Sequence, residues 1–405
     1  MACIRRSSRL CAQIEKLCQH SDHVVELQRR GFYQKCCHHQ MTSLLHNYKK
    51  NIITQVDNKN INLKTRSMQI QQPGSQQETH VDLNNLLSDD LKGFYDDIKK
   101  ELINNTNVEE LKQISTYYFD GHGKAFRPMI TILMSRAINC HHNNRDELLS
   151  SQRQVAMIVE MIHCASLIHD DVIDQSDTRR GKASANIVWS QKKVTMAGNF
   201  ILAIASIMKA RLKNDDVTLT LSKVITDLVQ GELMQLGSKE NETERFKHYL
   251  SKTYRKTASL IANGAKSVAM LGGADEKLAD IAYNYGRNIG LAFQLIDDHL
   301  DFVSSSDKMG KPTAADLKLG LATAPVLFAC EQYPELDPMI MRRFQEPGDV
   351  ERAFELVNKS QGLEQTKYLA QKHCDEAIKL ARSLVDSPYQ KGLIDISELV
   401  VNREK

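Results

Sequence analysis

Apolar residues recur at three- and four-residue spacing along most of the chain, and no stretch alternates as a strand would. Leu83, Leu86, Leu87, Leu91, Phe94 and Ile98 form one such stripe, the pattern of a single helix face turned to a core. Pro128 stands where a helix can begin, with Met129, Ile132, Leu133 and Ala137 following. Segments 152–174, 194–212, 216–236, 243–271 and 276–303 carry the same period. Gly121, Gly123, Gly181, Gly237, Gly272, Gly273 and Gly310 punctuate them. The expectation is an all-α fold, one large helical domain over 81–405, without the short repeats of a solenoid.

Two segments precede it. Residues 47–80 are rich in Asn, Gln, Lys and Ser and close on Gln71-Gln72-Pro73-Gly74-Ser75, so they read as a disordered polar linker. Residues 1–46 carry Arg5, Arg6, Arg9, Lys16, Arg29, Arg30 and Lys35 against only Glu15, Asp22 and Glu26, and lack the apolar core of a secretory signal. An Arg-rich, acid-poor start is the composition of a mitochondrial transit peptide; the plainer alternative is a basic tail without function.

Bulk properties narrow the field further. Apolar residues make up 41% of the 405, ample for a substantial core. A net charge of only +3 gives no basic field for nucleic acid. The mean hydropathy is −0.41, and the longest apolar candidate, around Phe200 to Met208, is short enough to be a buried helix rather than a membrane span. Cys3, Cys11, Cys18, Cys36 and Cys37 crowd the start while Cys140, Cys164, Cys330 and Cys374 stand singly, so no disulfide framework emerges and a reducing compartment is expected. Cys36-Cys37-His38-His39 lacks the ligand spacing of a zinc site.

The chemistry gathers in two places. Asp170, Asp171 and Asp174 close the apolar segment from Val155 to Ile173; Asp170 and Asp174 share a helix face with His163 and Leu167, while Ile158, Met161, Ile162 and Ala165 lie opposite. Carboxylates ending a helix that is apolar nearly all round face an interior and need a partner there. Asp177, Arg179, Arg180 and Lys182 follow, so a structural ion-pair cluster also accounts for this motif taken alone. Gln294, Asp297, Asp298 and Asp301 repeat the arrangement at i, i+3, i+4 and i+7, again after an apolar helix. Two carboxylate walls around one cavity call for cations, and Mg²⁺ bridging to a diphosphate is the natural occupant. Gly121-His122-Gly123-Lys124-Ala125-Phe126-Arg127-Pro128 adds a helix start with two cations, an anion site that is no P-loop, having neither its Gly-Lys-Ser/Thr end nor a preceding strand. Lys256, Thr257 and Lys311 add further polar groups beside apolar helices.

These residues resemble the trans-isoprenyl diphosphate synthase family from about Leu83 to near the C-terminus. Lys124 and Arg127 match its Gly-Gly-Lys-Arg-x-Arg-Pro motif, His163 its histidine before the first aspartate motif, and Arg179 and Arg180 the basic pair after it. Lys256-Thr257 match its Lys-Thr pair, Gln294, Asp297, Asp298 and Asp301 its second motif, and Lys311 the lysine beyond. The resemblance implies a helical bundle around a deep central cavity, three Mg²⁺ ions and a dimeric arrangement. It implies metal ligands Asp170, Asp171, Asp174, Asp297, Asp298 and Asp301. Asp170, Asp171, Asp174, Asp297 and Asp298 with Lys256 would carry catalysis, and Lys124, Arg127, His163, Arg179, Arg180, Lys256, Thr257, Gln294 and Lys311 would bind substrate. The implied reaction adds isopentenyl diphosphate to an allylic diphosphate such as geranyl, farnesyl or geranylgeranyl diphosphate. Ala125 and Leu321 depart from the pattern, standing where the family commonly has Arg and Lys.

Ala165 and Ser166 stand where short-chain members place a large aromatic residue, which implies a long product; close helix packing is the competing reason for small residues there. The lead-in looks most like that of mitochondrial members that make the ubiquinone side chain with a second, divergent subunit in a hetero-oligomer. That implies the matrix, with peripheral contact to the inner membrane because the product is lipophilic. The alternatives are a shorter-chain synthase, a non-catalytic scaffold subunit and a terpene cyclase.

Overall fold

The helical period is realised throughout the part of the chain that the computed structural model describes, residues 81–403 apart from 122, 124, 238–243 and 304–313. The extension and linker over 1–80, with the transit-peptide and Cys36–His39 readings, lie outside the described residues, as do Lys124 and Lys311. Helices of eight or more residues are α1 Phe94–Asn104, α2 Glu109–Thr116, α3 Phe126–Asn143, α4 Ser150–Ile173, α5 Gln191–Arg211, α6 Asp215–Gly237, α7 Arg245–Thr253, α8 Ser259–Leu271, α9 Glu276–Val303, α10 Ala324–Gln332, α11 Asp349–Lys359, α12 Gly362–Ala381 and α13 Pro388–Asn402. A π-helical turn, Tyr254–Ala258, joins α7 to α8.

Helix α8 is the axis of the bundle. Its sequence is small and apolar, it is buried nearly all round, and it packs against α3, α4, α6 and α9. Glycines set the closest approach: a Cβ at Gly286 would lie 2.7 Å from Ala262 Cα, and one at Gly290 would lie 2.6 Å from Ala258 Cα. Helix α9 therefore rests on α8 and the π turn backbone to backbone, and α12 covers its other side. Helix α5 covers α4. A smaller apolar cluster, with Phe302, Leu317, Val326, Leu336, Phe344 and Leu356, props the C-terminal end of α9.

Two expectations are corrected. The stripe from Leu83 to Ile98 is not one helix: short turns at Leu83–Leu86 and Ser88–Leu91 precede α1. Ser88 Oγ donates to Asn85 O at 3.0 Å, and Gly93, at φ +66°, sits in a conformation that stops a right-handed helix. The stripe still packs inward, with Leu87, Phe94 and Ile98 buried. A two-stranded hairpin also exists, Thr178–Arg179 (β1) paired antiparallel with Lys182–Ala183 (β2). Arg180 at φ +53° and Gly181 at φ +77° form its two-residue turn. The reading of the Phe200–Met208 region as a buried helix stands, although α5 as a whole is long and apolar enough by length and composition to cross a membrane. Its Val194, Ala197, Ile201, Ile204, Ala205 and Met208 follow the helical period and bury one face in the core.

Candidate active site

The first aspartate motif ends α4, and its three acids meet three environments. Asp171 is fully buried; Tyr118 Oη donates to it at 2.8 Å and Arg179 Nε at 2.9 Å. Asp170 is half-buried, and its carboxyl is pushed up to about 6 by burial, with Glu232 and Asp174 adding to the rise and Lys256 opposing it. Asp174, expected to face an interior with the others, caps the helix and is exposed. The hairpin splits the arginine pair: Arg179 returns to Asp171, while Arg180 reaches Tyr118 O at 3.4 Å. Gly123 leaves room for Arg180, since a Cβ there would lie 2.9 Å from its guanidinium.

Lys256 and Thr257 occupy the π turn, whose extra residue breaks the regular helix between α7 and α8. Lys256 Nζ pairs with Glu232 Oε2 at 2.5 Å and donates to Gln235 Oε1 at 3.1 Å, both on α6. Thr257 donates to Gln294 Oε1 at 2.9 Å, and Gln294 Nε2 donates to Asp298 at 2.9 Å. Tyr249 Oη completes Asp298 at 2.6 Å. A continuous polar chain thus runs from the π turn to the second motif.

There Asp298 is buried, and burial holds its carboxyl up at about 6 against the two hydrogen bonds. Asp301 accepts from the backbone N–H groups of Ala315 and Asp316, each at 3.1 Å. Burial first, then Asp298 and Asp301, push the Asp316 carboxyl up to about 8. Asp297 accepts from Arg403 at 2.6 Å.

The lead-in to α3 passes through Ala125, whose φ of +47° is left-handed. Phe126 packs on Phe293 at 4.7 Å. Arg127 lies 3.1 Å from His163 Nε2; a guanidinium can only donate, so Nε2 accepts and the ring proton sits on Nδ1. Burial, then Arg127, Arg180 and Arg179, hold His163 well below its ordinary range, so it is neutral at physiological pH. Glu160, one turn earlier, is buried, and burial raises its carboxyl although Arg127 and Arg180 oppose the rise. Ala165 is fully buried; Ser166 donates back to His163 O at 2.9 Å. Leu321 lines a cleft with Gln235, Tyr249 and Arg343.

The donor set suits a hard divalent cation. It offers carboxylate oxygens, and the carboxyls of Asp170, Asp298 and Asp316 are raised first by burial and then by neighbouring acids, an environment in which a bound cation would favour the charged forms. Among the described residues no three His, Cys, Asp or Glu side chains converge into a metal cage. A hard divalent cation can be held by one or two carboxylates with water and substrate phosphate supplying the rest. Sequence reasoning missed Tyr118, Tyr249, Glu160, Glu232, Asp316 and Arg403. Only Glu160 left a trace, an acid one turn before His163 on an otherwise apolar helix.

The polyprenyl synthetase family model matches residues 108–357. The chain is 60% identical over 316 residues to the all-trans-polyprenyl-diphosphate synthase of Homo sapiens, covering 78% of this chain and 76% of that one. It is 42% identical over 352 residues to decaprenyl-diphosphate synthase subunit 1 of Schizosaccharomyces pombe, 81% and 93% covered. It is 40% identical over 371 residues to the probable mitochondrial hexaprenyl pyrophosphate synthase of Neurospora crassa, 80% and 82% covered. The crystal structure of a polyprenyl synthase from Caulobacter crescentus, complexed with calcium and isoprenyl diphosphate, superposes with a TM-score of 0.71 at 28% identity, covering 80% of this chain and 97% of that one.

Proposed function

The chain belongs to the polyprenyl synthetase family, and from that premise we propose how its residues divide the work of a long-chain trans-polyprenyl diphosphate synthase. It is a prenyltransferase of isoprenoid biosynthesis that lengthens an allylic diphosphate with isopentenyl diphosphate, a reaction consistent with making the ubiquinone side chain. The observation that carries the division of labour is the polar chain Thr257–Gln294–Asp298, which ties the π turn bearing Lys256 to the second motif while Lys256 also faces Asp170 and Asp174.

The allylic diphosphate lies between the two carboxylate walls. Asp170, Asp174 and Asp297, whose carboxylates reach solvent, would hold divalent metal there, read as Mg²⁺ with three ions in the substrate complex. Bound metal supplies charge neutralisation of the diphosphate leaving group. Lys256 and Arg179 add fixed positive charge on that side, and Lys256 exchanges Glu232 for phosphate oxygen as substrate enters. On the other side Arg127, Arg180 and neutral His163, with Lys124 from the lead-in, orient isopentenyl diphosphate. The allylic C–O bond breaks toward diphosphate, the isopentenyl double bond attacks the allylic carbon, and the departed diphosphate takes the proton lost from the adjacent carbon. No protein base is needed, and orientation with charge stabilisation supplies the rate. Ala165 and Ser166 leave the lengthening chain room along α4.

The protein is mitochondrial, a location supported by the hexaprenyl relative and by the Arg-rich start; we place it in the matrix, touching the inner membrane through its lipophilic product. It works with a second, divergent subunit in a heterotetramer. Val229, Leu233 and Leu236 on α6 support this, as they leave an apolar stripe exposed at i, i+4 and i+7. The test is the full chain with and without that subunit, given Mg²⁺, farnesyl diphosphate and labelled isopentenyl diphosphate. Full-length product from the complex alone is expected; full-length product from the chain by itself refutes the partnership, and an unlengthened allylic substrate in both refutes the synthase reading.

A further inference from the structure

Arg403, the residue after α13, folds back onto the second aspartate motif. One of its terminal nitrogens lies 2.6 Å from both Phe293 O and Asp297 Oδ1, and its guanidinium stacks 3.9 Å over the Phe293 ring. Only 15% of the side chain is exposed, against 42% of Asp297's. The Nε of Arg403 is buried with no hydrogen-bond partner. Phe293 in turn packs on Phe126, the residue before Arg127, and the Nε of Arg127 is also buried without a partner. Arg403 therefore sits where the second motif meets the lead-in to α3.

The chemistry explains why a cation should sit there. Asp297 shares α9 with the buried Asp298 and with Asp301, and Asp316 adds a further carboxyl to the cluster. An unopposed carboxylate beside these is costly, and a guanidinium is the side-chain cation best suited to a partly buried site with an aromatic face. The same contact takes an oxygen of Asp297 away from any other cation and sets a positive charge beside it. The contact is also incomplete, since a buried donor without a partner weighs against the parked position. The tether is light: Arg403 has already left the helix, with φ −68° and ψ 144°, so it can swing without unwinding α13.

We propose that Arg403 is a positioning residue for the second aspartate motif, an internal counter-cation that neutralises Asp297 while no divalent cation is bound and releases it when metal and diphosphate enter. The inference rests on the reading of Asp297 as a metal-binding carboxylate and adds how that carboxylate is kept before loading. Metal binding then exchanges one cation for another, and the position of Arg403 reports whether the second wall is loaded.

The experiment is Mn²⁺ binding to the full chain, followed by electron paramagnetic resonance with and without inorganic pyrophosphate, for the wild type, Arg403→Gln, Arg403→Lys, Asp297→Asn and the Asp297→Asn/Arg403→Gln double variant. Arg403→Gln is expected to bind Mn²⁺ roughly fivefold tighter or more without pyrophosphate, with Arg403→Lys in between. On the Asp297→Asn background the same change should gain nothing, because the two residues act as a pair. Equal or weaker Mn²⁺ binding by Arg403→Gln and Arg403→Lys overturns the proposal while leaving the metal reading intact, since the wild type still binds. Absence of Mn²⁺ binding in every protein, pyrophosphate present, overturns both. Unchanged melting of the lysine variant separates a lost contact from a lost fold.

Discussion

Replacing Tyr249 with Phe removes one oxygen from the polar chain and leaves the packing almost untouched. That hydroxyl donates at 2.6 Å to Asp298, a carboxylate only 2% exposed whose other oxygen has Gln294 at 2.9 Å. A hydrogen bond to a charged buried group contributes about 1.5–3 kcal/mol, and one between neutral groups about 1 kcal/mol. The cost should therefore depend on whether Asp298 is ionised. Burial already holds its folded carboxyl at about 6, above the ordinary unfolded value of about 3.9. The folded form thus binds more protons than the unfolded one across that window, and Asp298 withdraws stability as pH rises through it. Losing the tyrosine donor raises the folded value further and deepens that withdrawal. In metal-free protein the variant should melt roughly 3–6 °C below wild type at pH 8, and the gap should narrow toward pH 5, where both carry a neutral Asp298. Turnover at neutral pH should fall about 10–100-fold, on the scale of losing a hydrogen bond that orients the groups around a metal site, since Asp298 adjoins Asp297 on α9. Calorimetry at the two pH values checks the first claim and a labelled-substrate assay the second. A melting gap equal at pH 5 and pH 8 would refute the reasoning, because it would mean that Asp298 does not change charge between them.

Other outcomes follow from the same geometry. Ala165→Phe places a ring five residues before Asp170, about 7.5 Å along the helix axis, and should shorten the product distribution on reversed-phase chromatography; unchanged chain length sinks the tunnel reading. Gly290→Ala would bring a Cβ to 2.6 Å from Ala258 Cα. Overpacking of ~1–3 kcal/mol should outweigh the ~1 kcal/mol helix gain of alanine, so a variant that melts at or above the wild-type temperature contradicts the close approach. His373, 2.8 Å from Asn288 Oδ1, is lowered to about 4 chiefly by burial, with Arg287 and Lys372 adding to it. Its contribution is present above the unfolded value of about 6.5 and is lost as pH falls toward 4, at most ~3 kcal/mol. His373→Gln should flatten that acid loss in a pH-dependent melting series.

Most of the helical frame was legible because its period is strong. The segments at 152–174, 194–212 and 276–303 match α4, α5 and α9 to within a few residues. The breaks were not legible, since each depends on something other than period. Gly93 ends one helical turn by its backbone conformation, and the π turn ends at Ala258, against which Gly290 of α9 packs at close range. In the site, the acids and the arginine pair announce themselves by spacing. Their partners do not: Tyr118 lies 53 residues from Asp171, Tyr249 lies 49 from Asp298, and Arg403 lies 106 from Asp297. A lone tyrosine or arginine carries no periodic signature, so only packing reveals what it holds.

The partners also show that the three acids of each motif are unequal, which sequence spacing alone would not suggest. In both motifs the second aspartate is buried and takes a tyrosine hydroxyl, Tyr118 on Asp171 and Tyr249 on Asp298. Asp171 is further held by two nitrogens of Arg179. These middle acids are saturated by protein donors and fix the end of their helices, whereas burial raises Asp170 and Asp174 against the charges of Lys256 and, more weakly, Arg179. Metal should therefore be drawn to the outer pair, with Asp171 acting on it through the hairpin and Arg179. Asp170→Asn should weaken Mn²⁺ binding in the presence of pyrophosphate by tenfold or more, on the scale of losing one charged ligand. Asp171→Asn should bind Mn²⁺ nearly as well, yet lose stability because Arg179 is left without its carboxylate partner. The reverse ranking, with Asp171→Asn losing metal and Asp170→Asn keeping it, would show that the buried acid turns outward on loading and that its tyrosine and arginine are temporary partners.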